Sequence, residues 1–258
     1  MVRCAIELSY DGAGFRGWQS QPGGIGIQDA IERAFAELGE HSRITGAGRT
    51  DAGVHARAQV AHIDLSKNWA PRRLVAALNS KLPPSISAIR AEVVEDGFHA
   101  RRSAVSREYR YFIWNSSVCY PHIRPYVLWL PGSRYDWKRA ERAASCFVGM
   151  HDFRAFCRTE DCPANTYKTV LGARLMRRGS LVVFRIEANS YLTNMIRIAV
   201  GNLLEIAGGR YDEEWLRRLL AGNDRSASAR TVSPGGLFFW RVNYGREIFT
   251  SPPVHTPS

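Results

Sequence analysis

No uninterrupted apolar run in this 258-residue chain approaches the roughly 20 residues that a membrane-spanning helix needs. Nor does an apolar leader open it, because Arg3, Glu7 and Asp11 break the first stretch. A cytoplasmic protein is therefore expected. Cysteine is sparse: Cys4, Cys119, Cys146, Cys157 and Cys162 are odd in number and scattered. They have neither the CxxC pairs of a zinc site nor the density of a secreted disulfide scaffold, so buried or free thiols are expected. Lysine is scarcer still, since only Lys67, Lys81, Lys138 and Lys168 stand among 35 basic residues. Acidic residues number 24, which leaves a net charge of +11 and a pI near 9.8. Such an excess favours a polyanionic partner and raises the rate of encounter with one. Signatures of several chemistries are missing too. There is no GxGxxG and no GxxxxGK[ST], so "GGIGIQDA" reads as a turn opening a helix rather than a phosphate cradle. No Gly-x-Ser-x-Gly elbow marks a hydrolase.

What is present alternates between two periods. Cys4, Ile6, Leu8 and Tyr10 share one face of a strand, and "DGAGFRGWQSQPGGIG" follows as a loop. Ile27, Ala30, Ile31, Ala34, Phe35 and Leu38 recur at helical spacing and stop at Gly39. Val54, Ala56, Ala58 and Val60 alternate with His55, Arg57 and Gln59, and the apolar phase then shifts to Ala61, Ile63 and Leu65. That reads as a strand with a bulge. A short helix near Pro71 and a strand in "ISAIRAEVVE" complete one unit by about residue 100. A second, longer unit repeats the logic. "EYRYFIWN" is a strand, Trp137 to Val148 carry a helical stripe before Gly149, and "TVLGARLMRRGSLVVFRIEA" is a hairpin. A helix runs from about Tyr191 to Gly208-Gly209, Asp212 caps the next one, Gly222 closes it and "GLFFWRVNY" is a last strand. Strands interleaved with helices imply an α+β or α/β architecture in two similar halves. The expected domains are 1–100 and 101–250, with a disordered tail over 251–258.

Chemistry concentrates in "TGAGRTDAGVHARAQVAHID", Thr45 to Asp64. Asp51 and His55 lie four apart, the spacing of half a metal site on a helix. Gly53 and the alternation after Val54 argue against a helix, and a third ligand at a suitable spacing is missing. Asp51 between Thr50 and Ala52-Gly53 can be a turn residue, a helix cap or a catalyst, and spacing alone does not decide between them.

Five segments bear on that choice. "GRTDAGVHA", from Gly48 to Ala56, resembles the signature of the TruA family of tRNA pseudouridine synthases, in which the same run carries the catalytic aspartate. "YDGAGFRGWQSQ" at Tyr10–Gln21, "FHARRSAVSREYRYFIWN" at Phe98–Asn115, "YLTNMIRIAVGNLLEIAGG" and "GLFFWRVNY" resemble that family's other segments, in the family's order. The resemblance implies the pseudouridine synthase fold: two α+β halves whose antiparallel sheets join across a central basic cleft. It implies a homodimer in which one tRNA touches both subunits, and isomerisation of uridine to pseudouridine at positions 38, 39 and 40 of the anticodon arm. By the same resemblance Asp51 is catalytic, Tyr109 packs against the target base, Arg49, Arg107 and Arg197 serve the cleft, and Leu237 lines the pocket. No metal or other cofactor is implied, because breaking C1'–N1 and joining C1' to C5 is redox-neutral.

A carboxylate for that reaction must be ionised, and an arginine within a few ångström lowers a carboxyl pKa by about 1 to 3 units. Arg197 is the first candidate partner. Extruding a stacked base costs a few kcal/mol; Arg49 is placed to fill the gap and Tyr109 to stack on the uracil. Arg16, Arg57, Arg101, Arg102 and Arg110 are candidate phosphate contacts. Gly48 and Gly53 are read as freeing the backbone for a close approach of RNA. The helix after "PGGIG" lacks the expected capping hydroxyl. Two rivals stand beside this reading: a catalytically inactive tRNA-binding paralogue, which has no need of Asp51, and a metal-dependent nuclease.

Overall fold

Cys4, Ile6, Leu8 and Tyr10 alternate along β1 (Val2–Tyr10) and all are buried, as a strand with one face on a core requires. The computed structural model describes residues 1–132, 135–222 and 224–250, so the tail expected at 251–258 lies outside the described residues. The chain forms two compact units, one made of Met1–Arg107 with the chain from Phe239 onward, the other of Glu108–Phe238. Both are α+β, with mostly antiparallel strands.

In the first unit β1 is followed by α1 (Ile27–Glu37), the two-residue β2 (Thr45–Gly46), β3 (His55–Leu65), α2 (Pro71–Asn79) and β4 (Ile86–Val93). The strand order is β4-β1-β3, antiparallel throughout, with β2 laid along β3. Helix α1 buries Ile27, Ala30, Ile31, Ala34 and Phe35, one stripe at three- and four-residue spacing. It ends at Gly39, whose φ of +77° suits a glycine and whose N–H reaches the Ala36 carbonyl at 3.0 Å. The missing hydroxyl at its start has a steric cause. A Cβ on Gly26 would stand 2.4 Å from the Gln19 carbonyl oxygen, so the capping bond comes instead from Asp29, which accepts from the Gly26 N–H at 2.8 Å. Pro71 opens α2, where the absent N–H has no helical partner to lose, and α2 packs on β4.

Strand β3 departs from the alternating reading. Its register against β1 runs Leu8 to Gln59 and Tyr10 to Ala56, so the extra residue sits between Ala56 and Gln59, ahead of the apolar phase shift. Both of its faces are covered: His55 and Gln59 are as buried as Ala56 and Val60. The phase shift marks two-sided burial and not the bulge.

The second unit takes up β5 (Ser106–Asn115) after Arg107 and continues with β6 (Leu128–Leu130), α3 (Trp137–Ala144), β7 (Gly149–Asp152), β8 (Tyr167–Arg178), β9 (Leu181–Ala188), α4 (Met195–Ala207) and α5 (Glu213–Gly222). The chain then returns to the first unit along β10 (Leu237–Asn243), which lies beside β3. The order here is β5-β9-β8-β7, with β6 parallel to β5. Phe147, Phe153, Phe156 and Phe184 pack ring to ring beneath the hairpin β8–β9, all fully buried. Two helices differ from expectation. The stripe read as far as Val148 leaves the α-helix at Ala144 for a 3₁₀ turn over Ser145–Phe147. The helix expected from Tyr191 begins at Met195, because Asn194 takes the left-handed conformation (φ +61°) before it. Asp212 does cap α5, accepting from the Trp215 N–H at 2.8 Å. All five cysteines are free thiols; burial pushes Cys4 up to about 12 and Cys157 up to about 11.

Arg3 and Asp64 face each other across β1 and β3 and share two hydrogen bonds of 2.7 and 2.8 Å. Arg3 also bonds the carbonyls of Asp96 and Phe98, tying the segment after β4 to the sheet. The hydrogen bond from Arg3, ahead of its charge, holds the Asp64 carboxyl below its ordinary value despite partial burial. A depressed folded pKa contributes stability above the unfolded value, near 4, that is lost as pH falls through the folded one. Asp64→Asn is therefore expected to cost about 1 kcal/mol or less at pH 7, the pair being partly exposed. That cost should shrink as pH is lowered below about 4 when urea midpoints of the two proteins are compared.

Candidate active site

Asp51 lies in the connection between β2 and β3, half-buried, two residues after the exposed Arg49. It opens a tight turn in which the Val54 N–H donates to the Asp51 carbonyl at 3.1 Å and Gly53 takes φ +77°. Asn194 is the only non-glycine with positive φ among the described residues, so Ala52 is negative. Negative followed by positive φ is the type II pattern, which calls for glycine at its third position.

The loop after β1 presses directly on this turn. Trp18 N–H donates to the Thr50 carbonyl at 3.0 Å and Gly53 N–H to the Phe15 carbonyl at 3.4 Å. A Cβ on Gly12 would stand 2.0 Å from the Val54 carbonyl oxygen, and one on Gly17 (φ +86°) 2.5 Å from that of Thr50. Either is far inside contact distance, so the backbones meet with no side chain between them. The other glycines of the segment are enclosed as well. A Cβ on Gly46 would meet the Trp18 indole at 2.6 Å, and one on Gly48 the Phe239 ring at 2.8 Å. Gly48 thus makes room for the protein's own β10.

Side chains fix what remains. The buried hydroxyls of Tyr10 and Thr50 bond at 2.9 Å, and burial, partly offset by that bond, pushes the Tyr10 phenol up to about 12. Gln59, fully buried, donates to the Gly48 carbonyl at 2.8 Å. Arg107 donates to the Ala47 carbonyl through Nε at 3.2 Å and Nη2 at 3.1 Å, and also to the carbonyls of Ala104 and Arg101. Hydrogen bonds from a charged donor are worth roughly 1.5 to 3 kcal/mol. Arg49, Asp51 and Arg107 therefore belong to one rigid loop assembly in the first unit.

Tyr109, Arg197 and Leu237 belong to the second unit. Tyr109 is buried on β5 with its ring edge-on to Tyr191 at 5.0 Å. Burial also raises the Tyr191 phenol well above its ordinary value. Arg197, in the first turn of α4, donates to the Asn194 side chain at 2.6 Å and to the Val232 carbonyl at 2.8 Å. From Val232 the chain turns through Gly236, where a Cβ would meet the Phe112 carbonyl oxygen at 2.7 Å, and reaches the buried Leu237. One hydrogen-bonded path thus links Arg197 and Leu237 to β5, three residues beyond Tyr109. Among the candidate phosphate contacts, Arg16, Arg57, Arg101 and Arg102 are exposed. Arg110 differs: its Nε bonds Glu108 at 2.8 Å, and Glu108 is also paired with Arg185.

A family model described as tRNA pseudouridine synthase matches residues 8–101 and 143–245. The chain belongs to the tRNA pseudouridine synthase family. Curated relatives named "tRNA pseudouridine synthase A" agree in length as well as in sequence. The one from Burkholderia mallei (strain NCTC 10229) is 38% identical over 100% of this chain and 95% of its own. That of Cupriavidus necator is 39% identical over 95% and 91% respectively, and that of Thiobacillus denitrificans 38% over 95% and 94%.

Within this tRNA pseudouridine synthase family member, sequence reasoning missed the residues that carry the Asp51 loop. Gln59 and His55 were read as the polar face of β3, yet both are buried, and His55 Nδ1 accepts the Gly12 N–H at 3.1 Å. An amide and an imidazole on an eleven-residue strand with apolar residues on both faces are the signal that could have found them, because buried polar groups need partners. Gly17→Ala combines a disfavoured φ with the 2.5 Å approach to Thr50. It is expected to cost more than about 2 kcal/mol and to lower the thermal midpoint by about 4 to 8 °C. Gly14→Ala, with nothing within 4 Å of its Cβ, should leave the midpoint unchanged in the same calorimetric comparison.

Proposed function

We propose that this protein isomerises uridine to pseudouridine at positions 38, 39 and 40 of the tRNA anticodon stem-loop, with Asp51 as the catalytic group. The observation that carries the reading is the half-buried carboxylate of "GRTDAGVHA" on a turn whose backbone is locked from behind, in a chain of this family. In the reaction C1'–N1 breaks, the freed uracil rotates, C1'–C5 forms, and the hydrogen on C5 leaves to solvent while N1 gains one. No electrons are exchanged with an outside acceptor. The chain must supply a carboxylate, a pocket for the detached base and a positive surface for the RNA.

Roles for the remaining residues follow the same reading. Arg49, exposed beside the turn, enters the gap left by the extruded nucleotide. Tyr109 stacks on the uracil, Leu237 lines its pocket and Arg197 binds the substrate. Arg107 acts through the Ala47 carbonyl that it clasps, keeping the loop in register. We place the protein in the cytoplasm as a homodimer with one tRNA across both subunits; the family resemblance supports this. Among the described residues no helix is long and apolar enough to cross a membrane.

Tritium release from C5-labelled uridine in tRNA tests the assignment. Asp51→Ala should abolish release while tRNA affinity stays within about twofold, and the parent protein should keep full rate in EDTA. Turnover surviving in the variant, or lost with the chelator, defeats the reading. Tyr109→Ala should lower kcat/KM by about 5- to 150-fold, the value of one base–aromatic stack of roughly 1 to 3 kcal/mol, and Tyr109→Phe should restore most of it.

A further inference from the structure

In the second unit, two loops line an open concavity of about 320 Å³, with Arg158, Thr159, Glu160, Arg225, Ser228 and Arg230 among its residues. Its lining holds three arginines and one carboxylate, and that carboxylate is already engaged: Glu160 receives Arg158 at 2.7 Å. Arg225 and Arg230 have no acidic partner among the described residues. The loop that bears them is fixed to the core. Asn202, wholly buried in α4, accepts from the Ala229 N–H at 2.8 Å and donates to the Ser228 hydroxyl at 2.9 Å. Its neighbour Gly201 admits the Arg230 carbonyl so closely that a Cβ would stand 2.3 Å away. Asp224 caps the loop by accepting from the Ser226 N–H at 2.8 Å.

The Arg225 guanidinium is itself held in place. Its Nη1 donates to the carbonyls of Ser228 and Ala229 at 3.2 and 3.1 Å, and its Nε and Nη2 have no acceptor among the described residues. Arg230 is exposed beside it. One fixed guanidinium with a second exposed beside it on a concave wall suits the tetrahedral oxygens of a phosphodiester, which accepts a planar fork better than a point charge. We propose that Arg225 and Arg230, in the second unit, form a phosphate-binding site for the RNA backbone. This rests on the reading of the protein as a tRNA-modifying enzyme.

The test is the salt dependence of tRNA affinity for the parent, Arg230→Ala and Arg230→Lys, by fluorescence anisotropy with unfractionated tRNA. Each phosphate contact contributes close to one to the slope of log affinity against log salt. Arg230→Ala is therefore expected to lower the slope by about 1, so its deficit against the parent shrinks by about fourfold between 50 and 200 mM salt. Arg230→Lys, which keeps the charge, should retain the parent slope. Tritium release at saturating tRNA should be unchanged in both, because Arg230 has no part in the Asp51 loop. A parent slope that is steep and identical in Arg230→Ala overturns the site alone. A flat parent response overturns the tRNA reading beneath it.

Discussion

Backbone pressed on backbone, residues 12–17 against residues 50–54, is the constraint from which the rest of the site follows. Between Gly12 and Val54, and between Gly17 and Thr50, there is no room for even one carbon beyond the main chain. Contacts this close cannot slide or tilt, because close-packed interiors admit few alternative arrangements. The catalytic role proposed for Asp51 would gain from such immobility, since a displaced reacting group loses rate steeply. The two loops are therefore one object, and the glycines at their junction are as much a part of the Asp51 site as the aspartate.

Two buried polar side chains complete that object from below. Gln59 and Arg107 take hold of adjacent carbonyls, Gly48 and Ala47, which an irregular loop would otherwise leave without partners inside the protein. A bond from each to the main chain, with no reliance on surface groups, keeps the loop's path fixed while Arg49 stays exposed at its outer edge. In the second unit the same logic recurs in other materials. The strained Asn194 and the Arg197 bonds to its side chain and to Val232 lock the start of α4 to the turn that leads into β10.

How much of this could be seen in the sequence depended on how far apart the partners lie along it. Local periodicity was enough for β1, α1, the β8–β9 hairpin and the Asp212 cap, since each is decided within a dozen residues. The loop around Asp51 stood out by its composition and its likeness to a family. What could not be read was set at long range. The Ala47 carbonyl meets an arginine sixty positions on, and the space beside Gly48 is filled by Phe239 near the chain's end. The alternation of β3 misled because both of its faces are covered, so polar residues that looked solvent-facing serve inside. The hydroxyl missing before α1 looked like a lapse until Gln19 proved to occupy the place where it would go.

One feature of the architecture bears on the life of the protein before it is finished. The first unit is closed by the last part of the chain: Phe239 against Gly48, the Tyr244 hydroxyl on the Ala100 carbonyl at 2.9 Å, and Thr250 on the Glu92 carboxylate at 3.1 Å. During synthesis, the amino-terminal half emerges from the ribosome with its sheet unfinished and must wait while some 130 residues of the other unit are made. A chain cut short before Phe239 has an open seam beside Gly48, so the Asp51 loop has no settled surroundings until that returning segment has been made.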